Sequence, residues 1–285
     1  MDRVNKRPLS FARMARRTLL YATLLLISAV CLVPLYWMLR SSLMSNAEIF
    51  IFPPHFFPSR IRWDNYPKAF ASFPVLTYLG NTMTIIIPCV SGVVVTSAMA
   101  GYALARIKWR GRDIWFALTI AAMILPGHVL LIPQYLTFSK LDLVNTFWSF
   151  IIPAWLGGYP SNIFLMRQFM MTLPKEYDEA AWLDGANRVQ IFLRVLLPLL
   201  TPILITVAVF SFMNYWNDFQ GPLIYLQRKS NYTLALGILS FKSSYSTNWN
   251  NIMAASLVML VPALIMFGLG QKYFLQGITV TGIKG

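Results

Sequence analysis

Histidine and cysteine are nearly absent from this 285-residue chain, two of each, and its 10 acidic residues face 24 lysines and arginines. Two cysteines inside apolar runs, Cys31 and Cys89, exclude a disulfide framework or a thiolate metal site and read as small core residues. His55 and His128 have no Cys, Asp or Glu at ligand spacing, so no metal centre is expected. A G-x-x-x-x-G-K-[ST] segment is missing, which excludes a nucleotide-hydrolysing P-loop here. The middles of the long apolar runs lack ionisable residues, which argues against an ordinary proton-coupled carrier. There is no repeat and no low-complexity linker.

What fills the chain is apolar: 57% hydrophobic residues, 12% charged, mean hydropathy +0.57. An ordinary soluble domain does not have that composition. Six runs are long enough to cross the hydrocarbon core as helices, at about 18–39, 76–100, 114–134, 147–168, 197–219 and 252–274. They predict an all-α integral membrane chain with six transmembrane helices. Arg13, Arg16 and Arg17 before the first run give it the look of a secretion signal. It is longer than a signal core and no small-x-small site follows, so a retained anchor is expected.

Basic residues orient the runs. With the N-terminus inside, the inner segments hold Arg3, Lys6, Arg7, Arg13, Arg16 and Arg17, then Arg106, Lys108, Arg110 and Arg112. Arg167, Lys175, Arg188, Arg194, Lys272 and Lys284 complete the inner set. The outer loops hold Arg40, Arg60, Arg62, Lys68, Lys140, Arg228, Lys229 and Lys242. Both termini are therefore expected in the cytoplasm. The net charge of +14 is divided among membrane-flanking segments, which fits anionic lipid and excludes a nucleic-acid groove.

Between the fourth and fifth runs lies Glu176 to Pro198, EYDEAAWLDGANRVQIFLRVLLP, polar and helix-forming. Pro174 suits a first helical turn, and Glu176, Asp178 and Glu179 sit near the positive end of the helix dipole. Ala180 and Ala181 let another surface approach the backbone, and Gly185 can take φ > 0 and end the helix. A second helical stretch follows, with Val189, Phe192 and Val195/Leu196 at helical spacing, and Pro198 opens the next run.

The order Glu179-Ala180-Ala181, three residues, Gly185, nine residues, Val195, one residue, Leu197-Pro198 resembles the cytoplasmic coupling segment of ABC-importer permeases, with Val in place of Ile at 195. Other segments resemble carbohydrate-uptake permeases: Ser41-Ser42-Leu43, Glu48-Ile49-Phe50, Pro53-Pro54-His55-Phe56, Asn65-Tyr66 and Asn81-Thr82. So do Gly101 to Arg106, Trp216-Asn217-Asp218-Phe219 and the tail Gly277 to Gly285, where Val280-Thr281 departs from the pattern. The likeness is to the shorter membrane subunit of maltose-type importers.

The resemblance implies a type I ABC importer permease fold with a cytoplasmic coupling helix. It also implies a bacterial cytoplasmic (inner) membrane location, a heterodimer with a second permease, two ATP-binding subunits and an external solute-binding protein. ATP and Mg would be used by the partners, with no cofactor and no catalytic residue here. The expected cargo is a sugar or oligosaccharide. Eight basic outer residues against Glu48, Asp64, Asp142 and Asp218 fit an acidic, uronate-containing one, and fit contact with an acidic binding protein equally well. Amino acids, peptides or polyamines are the alternative cargo within the class. An integral-membrane transferase is the alternative outside it, and it would need carboxylates or histidines converging at a membrane face.

The chain divides at the sequence level into 1–73, with the basic tail, first span and an external loop rich in Pro and aromatics, and 74–285, a five-helix core with coupling segment 174–198 and a tail. The resemblance assigns ATPase coupling to Glu179, Ala180, Ala181, Asp184, Gly185 and Pro198. It assigns ATPase contact to the tail residues Gly282, Lys284 and Gly285, and entry into the binding protein to the loop 241–250. In that loop Ser243, Ser244 and Ser246 can replace sugar hydroxyls, and Tyr245 and Trp249 can stack. Run four is broken by Pro153, Gly157-Gly158 and Pro160, and irregular backbone at membrane depth belongs against protein or water. Trp155, Tyr159 and Asn162 there are candidate pathway lining, or parts of a kinked bundle helix. Gly92, Thr96 and Ala100, with Ser97 and Gly101, form a small-residue stripe read as packing within the bundle.

Overall fold

The computed structural model describes residues 11–71, 74–238 and 248–282, with side chains for 14–71, 74–238 and 248–273. Among the described residues every regular element is helical. In chain order these are α1 (Phe11–Ser42), α2 (Asn46–Ile49), α3 (Asn65–Ala71), α4 (Val75–Ala105), α5 (Arg112–Ile124), α6 (Leu131–Lys140), α7 (Trp148–Trp155) and α8 (Pro160–Thr172). They continue with α9 (Glu176–Leu183), α10 (Arg188–Gln190), a π-helical turn Ile191–Leu196, α11 (Leu197–Leu199), α12 (Thr201–Trp216), α13 (Gln220–Tyr225), α14 (Leu234–Gly237) and α15 (Trp249–Gly282).

Three described helices are long and apolar enough to cross a membrane unaided: Met14–Ser42, Val75–Ala105 and Trp249–Tyr273. Two more runs are bent pairs, Arg112–Ile124 with Gly127–Lys140 at 94° and Arg188–Leu199 with Thr201–Trp216 at 77°. Proline explains both. Pro126 holds Leu125 extended at ψ 121° and stops α5. Pro202 lacks the N–H that would continue the ladder, and the chain bends at Leu200. The fourth run is two short helices, α7 and α8, separated by Gly157 (φ 149°) and Gly158 (φ 61°). Pro198 does not open the fifth long helix, as the sequence suggests. It lies in α11, ahead of the bend, and Pro202 stands at the start of α12.

The chain forms two compact units, 1–72 with 241–258, and 73–240 with 259–285. In the first unit the apolar length of α1 is exposed, Cys31 included, so Cys31 is a surface residue of the helix and not a core one. The unit is fastened around Asn65, which is 2% exposed. Its Nδ2 donates to the carbonyls of Ser42 (2.8 Å) and Met44 (2.9 Å), and its Oδ1 accepts from Asn250 (3.0 Å). Tyr66 and Ser42 hydroxyls meet at 2.9 Å. Glu48 closes the loop that follows α2 by accepting the Ser59 N–H at 2.7 Å. Burial pushes the Glu48 carboxyl up, but the hydrogen bonds from Ser59, His55 and Ser45 outweigh it and hold it below the usual value.

The second unit is built on α4. Its small-residue face takes α7 and α8: a Cβ on Gly92 would lie 2.6 Å from the Trp155 ring, and one on Gly101 would lie 2.7 Å from Met166 Cβ. Thr96 Oγ1 donates to the Gly92 carbonyl at 2.7 Å. Cys89, Val93, Met166, Met170, Leu196, Leu200 and Val207 make the fully buried centre. At the other end of α4, Asn81 Nδ2 donates to the carbonyls of Ser230 (2.7 Å) and Tyr232 (3.0 Å), and Thr82 Oγ1 accepts the Leu234 N–H at 2.9 Å.

Candidate functional site

The polar segment between α8 and α12 is folded by its own sequence. Lys175 is the N-cap and Pro174 stands just ahead of it, two positions before the first helical residue Glu176. Glu176, Asp178 and Glu179 fill the first turn of α9. Its end is a Schellman motif: the Ala186 N–H reaches the Ala181 carbonyl (3.0 Å) and the Gly185 N–H the Trp182 carbonyl (3.0 Å). Gly185 adopts φ +81°, which a β-carbon would resist. Asn187 then caps α10 reciprocally with Gln190, at 3.0 and 2.8 Å. The π turn that follows widens the helix before α11 and the bend.

One side of this segment is packed. Ala181, Ala186 and Phe192 lie against the buried core. Phe192 stacks on Tyr102 of α4 with ring centroids 4.9 Å apart, and the Tyr102 hydroxyl donates to the Arg188 carbonyl at 3.0 Å. Arg106, the C-cap of α4, is the main clamp. Its Nη1 lies 3.1 Å from Asp178 Oδ2, and its Nη2 donates to the carbonyls of Met170 (2.9 Å) and Leu173 (2.8 Å) at the end of α8. The two side chains are 5% and 22% exposed. Burial pushes the Asp178 carboxyl up, the Arg106 guanidinium pulls it down, and the neighbouring Glu179 charge pushes it up again. Three elements therefore meet at one guanidinium.

The other side of the segment is open. Glu179, Ala180, Asp184 and Gly185 are exposed, and around them Tyr177, Trp182 (59% exposed), Leu183 (87%) and Val189 present apolar surface. Large apolar side chains are thus left uncovered on an otherwise polar helix. Sequence reasoning picked out the exposed Glu179, Ala180, Asp184 and Gly185, but also Ala181, which lies on the packed side, and passed over Asp178, Arg106 and Tyr102. The first basic residue after Tyr102-Ala103-Leu104-Ala105 and the acid at 178 were the available signals.

The pathway candidates separate. Asn162 is buried, its Nδ2 3.4 Å from Ser211 Oγ, so it joins α8 to α12. Trp155 donates from Nε1 to the Pro88 carbonyl at 3.0 Å, yet stays half exposed. Tyr159 is partly exposed beside Tyr215. A groove of about 700 Å³ lies instead at the end of α12, lined by Phe210, Met213, Asn214, Asn217, Asp218, Phe219 and Gln220. Trp249 donates its backbone N–H to Asn46 (2.9 Å), with its ring edge-on to Phe50. Ser243, Ser244, Tyr245, Ser246, Lys284 and Gly285 lie outside the described residues; Gly282 is the last residue of α15. Among the described residues no group of His, Cys, Asp or Glu is arranged for a metal.

Over residues 92–280, which take in α5 to α14, the chain matches the binding-protein-dependent transport system inner membrane component family. It belongs to that family, whose members are the non-catalytic membrane permeases of ABC transporters. It is 35% identical over 246 residues to the arabinooligosaccharides transport system permease protein AraQ of Halalkalibacterium halodurans, covering 86% of each chain. It is 30% identical over 252 residues to the diacetylchitobiose uptake system permease protein DasC of Streptomyces coelicolor, covering 88% of this chain and 91% of the relative. Among solved structures, a chain of a bacterial ABC transporter involved in the import of alginate, an acidic polysaccharide, superposes with a TM-score of 0.79 at 22% identity. That match covers 94% of this chain and 100% of the other, and establishes a shared fold.

Proposed function

We propose that this chain is one of two permease subunits in an ATP-driven importer of an oligosaccharide, crossing the bacterial cytoplasmic membrane six times with both termini inside. The reading is carried by the segment 176–198, a capped helix and turn that is open on one side and bolted to α4 and α8 on the other through Arg106. An ATP-binding subunit seated on Glu179, Ala180, Trp182 and Asp184 would move α9, and the clamp would pass that movement to the long helix at the centre of the bundle. Packed elements of this kind shift between discrete arrangements instead of yielding softly.

An oligosaccharide cargo is supported by the saccharide uptake systems to which the AraQ and DasC relatives belong. The groove at the end of α12 adds chemical support: amides and a carboxylate bond hydroxyls, and Phe210 and Phe219 offer faces for sugar rings. The excess of basic residues outside fits an acidic glycan within that class, and fits contact with an acidic binding protein equally well. The loop carrying Ser243, Ser244, Tyr245, Ser246 and Trp249 is proposed to enter the external binding protein, and the tail with Gly282, Lys284 and Gly285 to lie along the ATPase pair.

Membranes carrying the chain with its partner subunits and binding protein test this reading. Glu179→Ala should insert normally, loosen attachment of the ATP-binding subunit and abolish ATP-dependent uptake of labelled oligosaccharide. Normal uptake by that variant would sink the coupling assignment.

A further inference from the structure

The apolar stretch of α1 is bracketed by Arg17 and Arg40, with 22 residues between them. At helical rise that is about 33 Å, the thickness of a hydrocarbon core. Tyr36 sits four residues inside the Arg40 end, about 6 Å along the axis, at the boundary between acyl chains and headgroups. The chain leaves α1, forms α2, and then comes back: the Tyr36 hydroxyl donates to the carbonyl of Phe56. The loop after α2 thus descends along α1 to the depth of Tyr36.

The side chains brought to that depth are aromatic and uncovered. Phe52 is 91% exposed, Phe56 72% and Phe57 76%, and Ile51 is 45% exposed. The loop is held at its base, where Glu48 accepts the Ser59 N–H (2.7 Å) and Arg62 N–H reaches the Leu43 carbonyl (2.9 Å). Arg60 and Arg62 follow the aromatic tip. A stretch of exposed phenylalanines next to arginines is the composition of a segment that lies in a membrane interface, with rings among the acyl chains and cations at phosphate level. Three exposed Phe side chains in water would be an aggregation hazard.

We infer that residues 51–57 form a second membrane anchor, a loop that dips into the leaflet at the C-terminal end of α1 with Phe52, Phe56 and Phe57 among the lipid chains. The anchor would fix the height of α3 and the Asn65 hub against the bilayer without a further crossing. It does not depend on the cargo or on the coupling segment.

Spin labelling tests it on the full chain assembled with its partner subunits in phosphatidylethanolamine/phosphatidylglycerol vesicles. Cys31 and Cys89 are first replaced by Ala, and Phe52→Cys and Phe57→Cys are then labelled singly with a nitroxide. Both positions point outward, so neither substitution disturbs packing. Collision rates with oxygen, which concentrates in lipid, and with a neutral nickel chelate, which stays in water, give the depth. The anchor predicts oxygen collisions exceeding nickel collisions several-fold at both sites. Nickel access equal to that of free label in buffer would put the loop in water and overturn the inference. Labels immobilised and shielded from both reagents would show a protein partner on this face and overturn it equally.

Discussion

Arg106 ties α9 and the end of α8 to α4. It closes an ion pair with Asp178 and satisfies two carbonyls of α8 from a nearly buried position. Removing one partner of a buried pair typically costs about 3–5 kcal/mol, so Arg106→Ala should clearly lower the unfolding midpoint temperature of the detergent-solubilised chain. The loss should depend on pH. Burial raises the Asp178 carboxyl, and without Arg106 nothing opposes that. An acid whose folded pKa is raised stabilises the fold at low pH and loses that contribution as pH rises through its folded pKa. The deficit of Arg106→Ala is therefore predicted to be largest at neutral pH and to shrink toward acid; a pH-independent deficit would point to the lost carbonyl bonds instead. Gly185 is a different case. No atom would meet its Cβ within 4 Å, so substitution costs only the left-handed backbone, about 1–2 kcal/mol. Gly185→Asn should then retain more uptake than Gly185→Val, because Asn tolerates that conformation.

At the scale of elements, the helical class and the capped polar helix at 176–183 were legible in the sequence, because apolar run length and acid-rich first turns are local signals. The breaks were less so. Pro153 and Gly157-Gly158 announced the interrupted fourth run, but Pro126 and Pro202 lie in runs whose hydropathy continues across the bend. The π turn at 191–196, whose Phe192 stacks on Tyr102, left no visible signal in the sequence. The small-residue stripe was legible as packing; its partners, Trp155, Gly158 and Met166, were not, because they are long-range. Gly158 meets two constraints at once, φ 61° and a Cβ position 2.8 Å from Ser97 Oγ. Gly158→Ala should destabilise the solubilised protein, and Ser97→Ala in the same chain should restore only part of the loss, since the backbone penalty remains. Full restoration would show that crowding alone sets the cost.

For the whole molecule, the account makes this chain a transmission element between an ATP-binding subunit inside and an oligosaccharide delivered outside. Deleting Ser243–Thr247 is expected to leave the external protein's sugar affinity and the basal ATPase rate intact while uptake falls sharply, because a loop shifts release only through contacts made in one state. Removing Gly282–Gly285 is expected to lower substrate-stimulated hydrolysis in reconstituted vesicles; an unchanged rate would make the tail a frayed end. The central claim is the docking of the ATP-binding subunit on the open face of α9. It is tested most directly by replacing Cys31 and Cys89 with Ala, placing a photoreactive benzophenone on Ala180→Cys and illuminating the assembled complex in membranes. The account predicts an adduct with the ATP-binding subunit; no adduct in an intact complex, or one with the external binding protein, would contradict it.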